Sequence, residues 1–196
     1  FFLLLHCQPN NSSPRKNTLR VATRRMDHLD WSLQREAIQG PEDTLAEPLI
    51  RQSFRQGRFS LEPGVFISWS SDSSFRLWSF KIRPGLKWST GEEFLPEDVV
   101  LSFKRLLNPQ VGSRYSHSFS IIEGAEAYTK GLEKDFSKVK IRGIRKNLVQ
   151  FHLKEPMRAF PSLLTMLAAA PTPAKLIEKV GSDWTQAKNF VGLGPY

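Results

Sequence analysis

Thirty residues, Phe80 to Pro109, constrain the fold of this chain more than any other stretch: FKIRPGLKWSTGEEFLPEDVVLSFKRLLNP. Just before and into it, Leu77, Ser79 and Lys81 alternate with Trp78, Phe80 and Ile82, the period of a half-buried strand. Pro84-Gly85 suit the two centre positions of a type II turn, where Pro fixes the first φ and Gly accepts a positive second φ. Trp88 then returns to the core, and Ser89-Thr90-Gly91 make a second tight turn. Pro96 fits a first helical position, with Glu97 and Asp98 in the first turn where the helix dipole favours negative charge. Val99, Phe103 and Leu106 recur on one face, Lys104 and Arg105 sit near the C-terminal end, and Asn108-Pro109 stop the helix.

The flanking sequence adds strands and helices without strict alternation. Leu19 to Ala22 is a short candidate strand. Gly40 and Pro41 open a helix, with Glu42 and Asp43 in its first turn, Leu45 and Leu49 on one face and Pro48 keeping it short. Residues 51–64 read as loop or a weak hairpin, Val65 to Trp69 as an apolar run, and Ser70 to Ser74 as a turn. Residues 108–120 read as loop and Ile121 to Tyr128 as a short helix. Lys138 to Leu153 predicts a hairpin turning at Arg145-Lys146-Asn147. Ala159 to Ala170 has the helical spacing of Phe160, Leu163, Leu164 and Leu167, stopped by Pro171 and Pro173, and a last helix runs from Ala174 to Val180. There is no internal repeat. The mixture predicts an α/β or α+β fold with a mixed sheet.

A hydrophobic content of 40% over 196 residues supports one sizeable core, or a large and a small subdomain. The net charge of +9 permits nucleic acid, anionic membrane or acidic ligands as partners without selecting one. Its denser clusters are Arg15 to Arg25 and Lys130 to Lys146; the second reads as solvated faces or as an anion-binding patch. No helix-turn-helix, zinc-finger or ribonucleoprotein pattern accompanies the charge, so nucleic acid is not expected. His6, His28, His117 and His152 lack metal-ligand spacing, and His152 falls on the polar side of its strand. There is no phosphate loop and no Gly-x-Ser-x-Gly elbow. Asp27 with Asp30, and Glu92 with Glu93, read as solvated acids without a partner to tune them. No catalytic residue, metal or cofactor is therefore assigned, and the chain is read as a non-enzyme.

Cys7, the only cysteine, ends the apolar run FFLLLHC, too short to span a bilayer at about 20 residues. Residues 1–7 read as the remnant of a signal peptide, with Leu4-Leu5-His6-Cys7 resembling a lipoprotein box and Cys7 as the candidate lipidation site. His6 departs from the small residue such a box wants. Residues 8–18 read as a flexible tether, which leaves 19–196 as the folded unit.

The match of Ile82-Arg83, Gly85, Trp88 and Gly91, followed by Glu97-Asp98-Val99 and Phe103 to Leu106, resembles the family-5 extracellular solute-binding proteins of ABC importers. These bind oligopeptides, dipeptides or nickel chelates. Leu29-Asp30-Trp31 sits where that family has Leu-Asp-Pro, Trp31 being a departure; Val149 to Pro156 resembles its strand ending in a Leu-x-x-Pro turn. The run from Ala170 to Gly192-Leu193-Gly194-Pro195-Tyr196 most resembles the oligopeptide-binding branch. The resemblance implies a periplasmic-binding-protein type II fold, of which residues 19–196 would be the first lobe with the second lobe absent. It implies an oligopeptide ligand held as an added strand, importer permease subunits as partners, and a location in the periplasm or on the outer face of the membrane. Ile38, Gln39 and Gly40 would form part of the ligand wall; without the resemblance they read as an ordinary passage from loop to helix. A piece of this length would bind weakly. Two other readings stay open: a standalone one-lobe surface lipoprotein that binds a protein partner, and a basic nucleic-acid-binding protein.

Overall fold

The computed structural model describes residues 30–33 and 45–193. Among the described residues six strands are formed: β1 (Ile50–Arg55), β2 (Arg58–Pro63), β3 (Phe66–Ser71), β4 (Leu77–Ile82), β5 (Ile141–Arg145) and β6 (Leu148–His152). Four α-helices lie wholly within the described residues: α1 (Pro96–Leu107), α2 (Ala125–Thr129), α3 (Phe160–Leu163) and α4 (Ala174–Val180). Short 3-10 turns lie at Trp31–Leu33, Ser116–Phe119, Phe136–Lys138, Leu167–Ala169 and Gly181–Thr185. None of the described helices is long and apolar enough to cross a membrane.

Strands β3 to β6 form one antiparallel sheet in the order β3-β4-β6-β5. The alternation seen in the sequence of β4 is the alternation of its burial: Trp78, Phe80 and Ile82 face inward while Lys81 is exposed. From β6, Val149 and Phe151 join the same face, and His152 is exposed as expected. Helix α1 covers this face, with the Phe103 ring 5.2 Å from Phe151 and 5.3 Å from Phe119. Phe160 at the start of α3 packs against Phe80 and Phe151, at 6.1 Å and 5.4 Å. The result is helices on one face of a sheet around an aromatic core.

The turns of the Phe80–Pro109 stretch form as the sequence predicts. Gly85 has φ +70° and Gly91 φ +89°, and the Gly91 amide donates to the Trp88 carbonyl at 2.8 Å. Residues 86–94 close into a small antiparallel bridge, Lys87 to Glu93, that buries Trp88 against Phe94. Helix α1 starts at Pro96, and the Asp98 carboxylate accepts the Leu95 amide at 2.8 Å, tying off its first turn.

Of the two readings of residues 51–64, loop or weak hairpin, the hairpin is the one formed, β1 pairing with β2 from Ile50–Pro63 to Arg55–Arg58. Two expectations are corrected. The helix expected over Ala159–Ala170 is broken into α3 and a separate 3-10 turn. Two of its carbonyls serve tertiary donors: Leu164 accepts the Ile50 amide at 3.3 Å and Ala170 accepts the Trp31 indole at 3.0 Å. The Thr165 hydroxyl also bonds back to the Ser162 carbonyl at 2.8 Å, a local bond that competes with helix. Leu49 is not on a helix; it is fully buried just before β1, and its carbonyl accepts the Phe66 amide. The first half of the helix expected from Pro41 lies outside the described residues.

Candidate functional site

Ile38, Gln39 and Gly40, the expected ligand wall, lie outside the described residues, as do Cys7 and Asp27. The described segments on either side of 34–44 each carry a buried carboxylate, and these two groups are the most elaborated polar features among the described residues.

The first is Asp30. The sequence reading of a solvated acid is wrong: Asp30 is 5% exposed. The Trp31–Leu33 turn folds Ser32 back, so that its amide and hydroxyl donate to Oδ1 at 3.1 Å and 2.6 Å. Oδ2 accepts Arg105 Nη2 at 2.6 Å and Trp184 Nε1 at 3.3 Å. Arg105 also donates to the Ser32 hydroxyl. Every strong acceptor position is thus used, which is what permits a carboxylate to be buried at all. The surroundings are apolar: Trp31, Ala46, Ala170 and Trp184 form a small cluster beside the main core, with Leu176, Ile177 and Phe190 against it.

The second is Glu47, also 5% exposed. Arg51 Nη2 donates to both of its oxygens, at 2.9 Å and 2.7 Å, and Arg83 Nη2 reaches Oε1 at 3.4 Å. Arg83 stands between β4 and the Pro84-Gly85 turn, so the pair ties the approach to β1 to the central strand. Both acids are spent on cations of the same chain. No group of three metal-ligating side chains occurs among the described residues. The arrangement holds two points of the backbone in place.

One shallow cleft of about 330 Å³ lies elsewhere, lined by Ser120, Ile122, Glu126, Lys130, Leu132 and Lys154. Lys130 and Lys154 donate to Glu126 at 2.7 Å and 3.0 Å. These bonds, that from Lys130 first, hold the exposed Glu126 carboxyl well below its ordinary 4.5, at about 2. Of the basic run 130–146, these contacts and that of Lys146 with exposed Glu93 are surface ion pairs.

The sequence did not reveal the Asp30–Arg105 pair, whose members are 75 residues apart. The only local sign was the acid two residues before Ser32, a spacing that suits a side chain accepting bonds from the following turn. Glu126 and Lys130 are four apart at helix α2, a pairing that sequence spacing alone makes visible.

With the geometry in place, comparison with known proteins decides the family. Residues 60–196 match the family described as bacterial extracellular solute-binding proteins, family 5 Middle, which is more than half of the chain. The chain belongs to that family. It is 29% identical over 161 residues to the periplasmic oligopeptide-binding protein OppA of Haemophilus influenzae, covering 80% of this chain and 29% of that one. Against OppA of Escherichia coli it is 32% identical over 136 residues, covering 68% of this chain and 25% of that one. Among solved structures, Burkholderia pseudomallei OppA superposes with a TM-score of 0.78 at 29% identity, over 86% of this chain and 32% of its own. Haemophilus influenzae OppA in complex with the peptide RPPGFSPFR superposes with a TM-score of 0.73 at 26% identity. The fold is therefore that of the type II periplasmic binding proteins, as the resemblance implied. The chain spans 25–29% of the length of the two curated relatives.

Proposed function

We propose that this chain is part of the substrate-binding component of an ABC peptide importer, taking oligopeptides outside the cytoplasmic membrane for delivery to the permease subunits. The observation that carries this reading is the family match over residues 60–196 together with relatives whose own names are those of oligopeptide-binding proteins. The two buried carboxylates support it from the inside. They anchor the backbone on both sides of the stretch that holds Ile38, Gln39 and Gly40, the residues proposed to meet the ligand. A peptide held by backbone hydrogen bonds needs such a fixed edge, because main-chain pairing tolerates little drift and leaves side-chain identity free. Cys7 is proposed as the lipid-bearing residue that keeps the protein at the membrane.

A ligand closed between two lobes is stabilised by touching both. Residues 1–196 tested by themselves are therefore expected to bind a peptide weakly. Isothermal titration calorimetry of this segment with a mixture of tri- to pentapeptides tests this. Weak, saturable millimolar binding is expected, and micromolar binding by the segment alone would overturn the expectation that both sides of the ligand need contacts.

A further inference from the structure

The hairpin β1–β2 stands outside the four-stranded sheet as a separate two-stranded ribbon. Its root is packed: Ile50 is buried, and Leu61 leans on the main core. Its tip is built differently. Gln56 and Gly57 turn the chain with φ +52° and +76°, the two positive values of a tight hairpin turn. Directly behind them Arg55 pairs with Arg58, and behind those Phe54 pairs with Phe59. The two rings pack at 4.7 Å between centroids yet remain 62% and 71% exposed.

Neither feature is satisfied where it stands. Like charges directly opposite across a hairpin repel, and although the two rings pack on each other, most of their apolar surface stays in water. Arg55 has an exposed hydrogen bond to the Ser53 hydroxyl at 3.1 Å and a 3.7 Å contact with Glu62 to offset this, with its side chain 79% exposed. A tip that breaks two local rules at once is where an outside partner is to be sought. The arginines call for an anion, and the rings call for an apolar medium beside it.

We propose that this tip is an anchor for an anionic lipid surface. Phe54 and Phe59 enter the boundary between headgroups and acyl chains, while Arg55 and Arg58 lie among the phosphates. The net charge of +9 supplies long-range attraction of the right sign. A second copy of the chain is disfavoured because its tip would bring the same arginines. A folded protein partner is disfavoured by area. Two phenylalanines present on the order of 300 Å², against about 800 Å² per side in a stable interface.

The test is co-sedimentation of the full chain with vesicles of phosphatidylcholine, alone or mixed with phosphatidylglycerol. Binding is expected only to the mixed vesicles and is expected to weaken as salt is raised. Arg55→Gln and Arg58→Gln should each lower the partition coefficient about fivefold, and Phe54→Ser with Phe59→Ser should lower it at least about tenfold. Lys134→Gln with Lys138→Gln, on another exposed part of the basic surface, should change it less than about twofold. Because these are exposed positions, an unchanged melting temperature verifies that each variant is folded. A Phe54→Trp variant gives an independent readout: its added fluorescence should be quenched by brominated acyl chains. Binding that survives loss of both rings, or no quenching of Trp at position 54, would overturn the proposal in favour of simple charge adsorption. Retention on vesicles only when they carry membrane protein would overturn it in favour of a protein partner.

Discussion

Arg105 has the most to lose from truncation. Arg105→Met keeps the length of the side chain and removes the guanidinium, which leaves the Asp30 carboxylate buried with Ser32 and Trp184 as its remaining donors. Breaking a buried pair from one side costs about 3–5 kcal/mol. Urea unfolding should show that loss as a lowered midpoint. Adding Asp30→Asn to Arg105→Met should restore part of it, since the uncompensated charge is then gone. The sequence could not announce this pair. Arg105 already had a sufficient reason to be where it is, near the C-terminal end of a helix where the dipole favours a cation. Around Asp30 the sequence RRMDHLDWSLQ has no apolar period to say which way the side chain faces. By contrast Pro84, Gly85, Gly91 and Pro96 were legible one by one, because each restricts its own φ whatever surrounds it.

Among the elements, β4 and β6 are central and paired on both sides, while β1–β2 pairs only with itself. A lone two-stranded ribbon is marginal in water. Amide hydrogen exchange should therefore find the β4 amides near Phe80 protected at close to the global unfolding free energy. Amides near the Gln56-Gly57 turn should exchange orders of magnitude faster, through local opening. Equal protection in the two places would contradict this ordering. The elements that were legible in sequence are those whose period is set by one buried face: β4, α1 and the β5–β6 pair. The Ala159–Ala170 segment misled for the same reason. Its apolar spacing is helical, but Leu164 and Ala170 give their carbonyls to Ile50 and Trp31, partners that lie more than a hundred residues away in sequence. Periodicity reports which side chains face inward and is silent on which carbonyls are wanted elsewhere. The hairpin at 51–64 was half legible: Gly57 marked its turn, while its polar strands hid behind two exposed faces.

Across the whole molecule, the main core is sealed by contacts of moderate sequence separation, and the smaller cluster is sealed by the longest ones. Trp31 meets Ala170, and Asp30 meets Trp184 across 154 positions. The family was legible from the Phe80–Pro109 stretch and is borne out by the match over residues 60–196. The placement of Ile38, Gln39 and Gly40 rests on resemblance alone, since nothing in their spacing marks a ligand. The smaller cluster has a consequence of another kind. The indoles of Trp31 and Trp184 stand 5.1 Å apart with their planes at 89°. At that distance their electronic transitions couple, so the docked state should carry a paired signal of opposite signs in the circular dichroism of the indole bands. Trp31→Phe should abolish that signal while the helix and sheet signals stay. Persistence of the couplet in the variant would assign it to other chromophores. The protein thus contains its own unlabelled optical gauge of whether the residues before the first strand are seated on those near its far end, readable in real time as solvent or temperature changes.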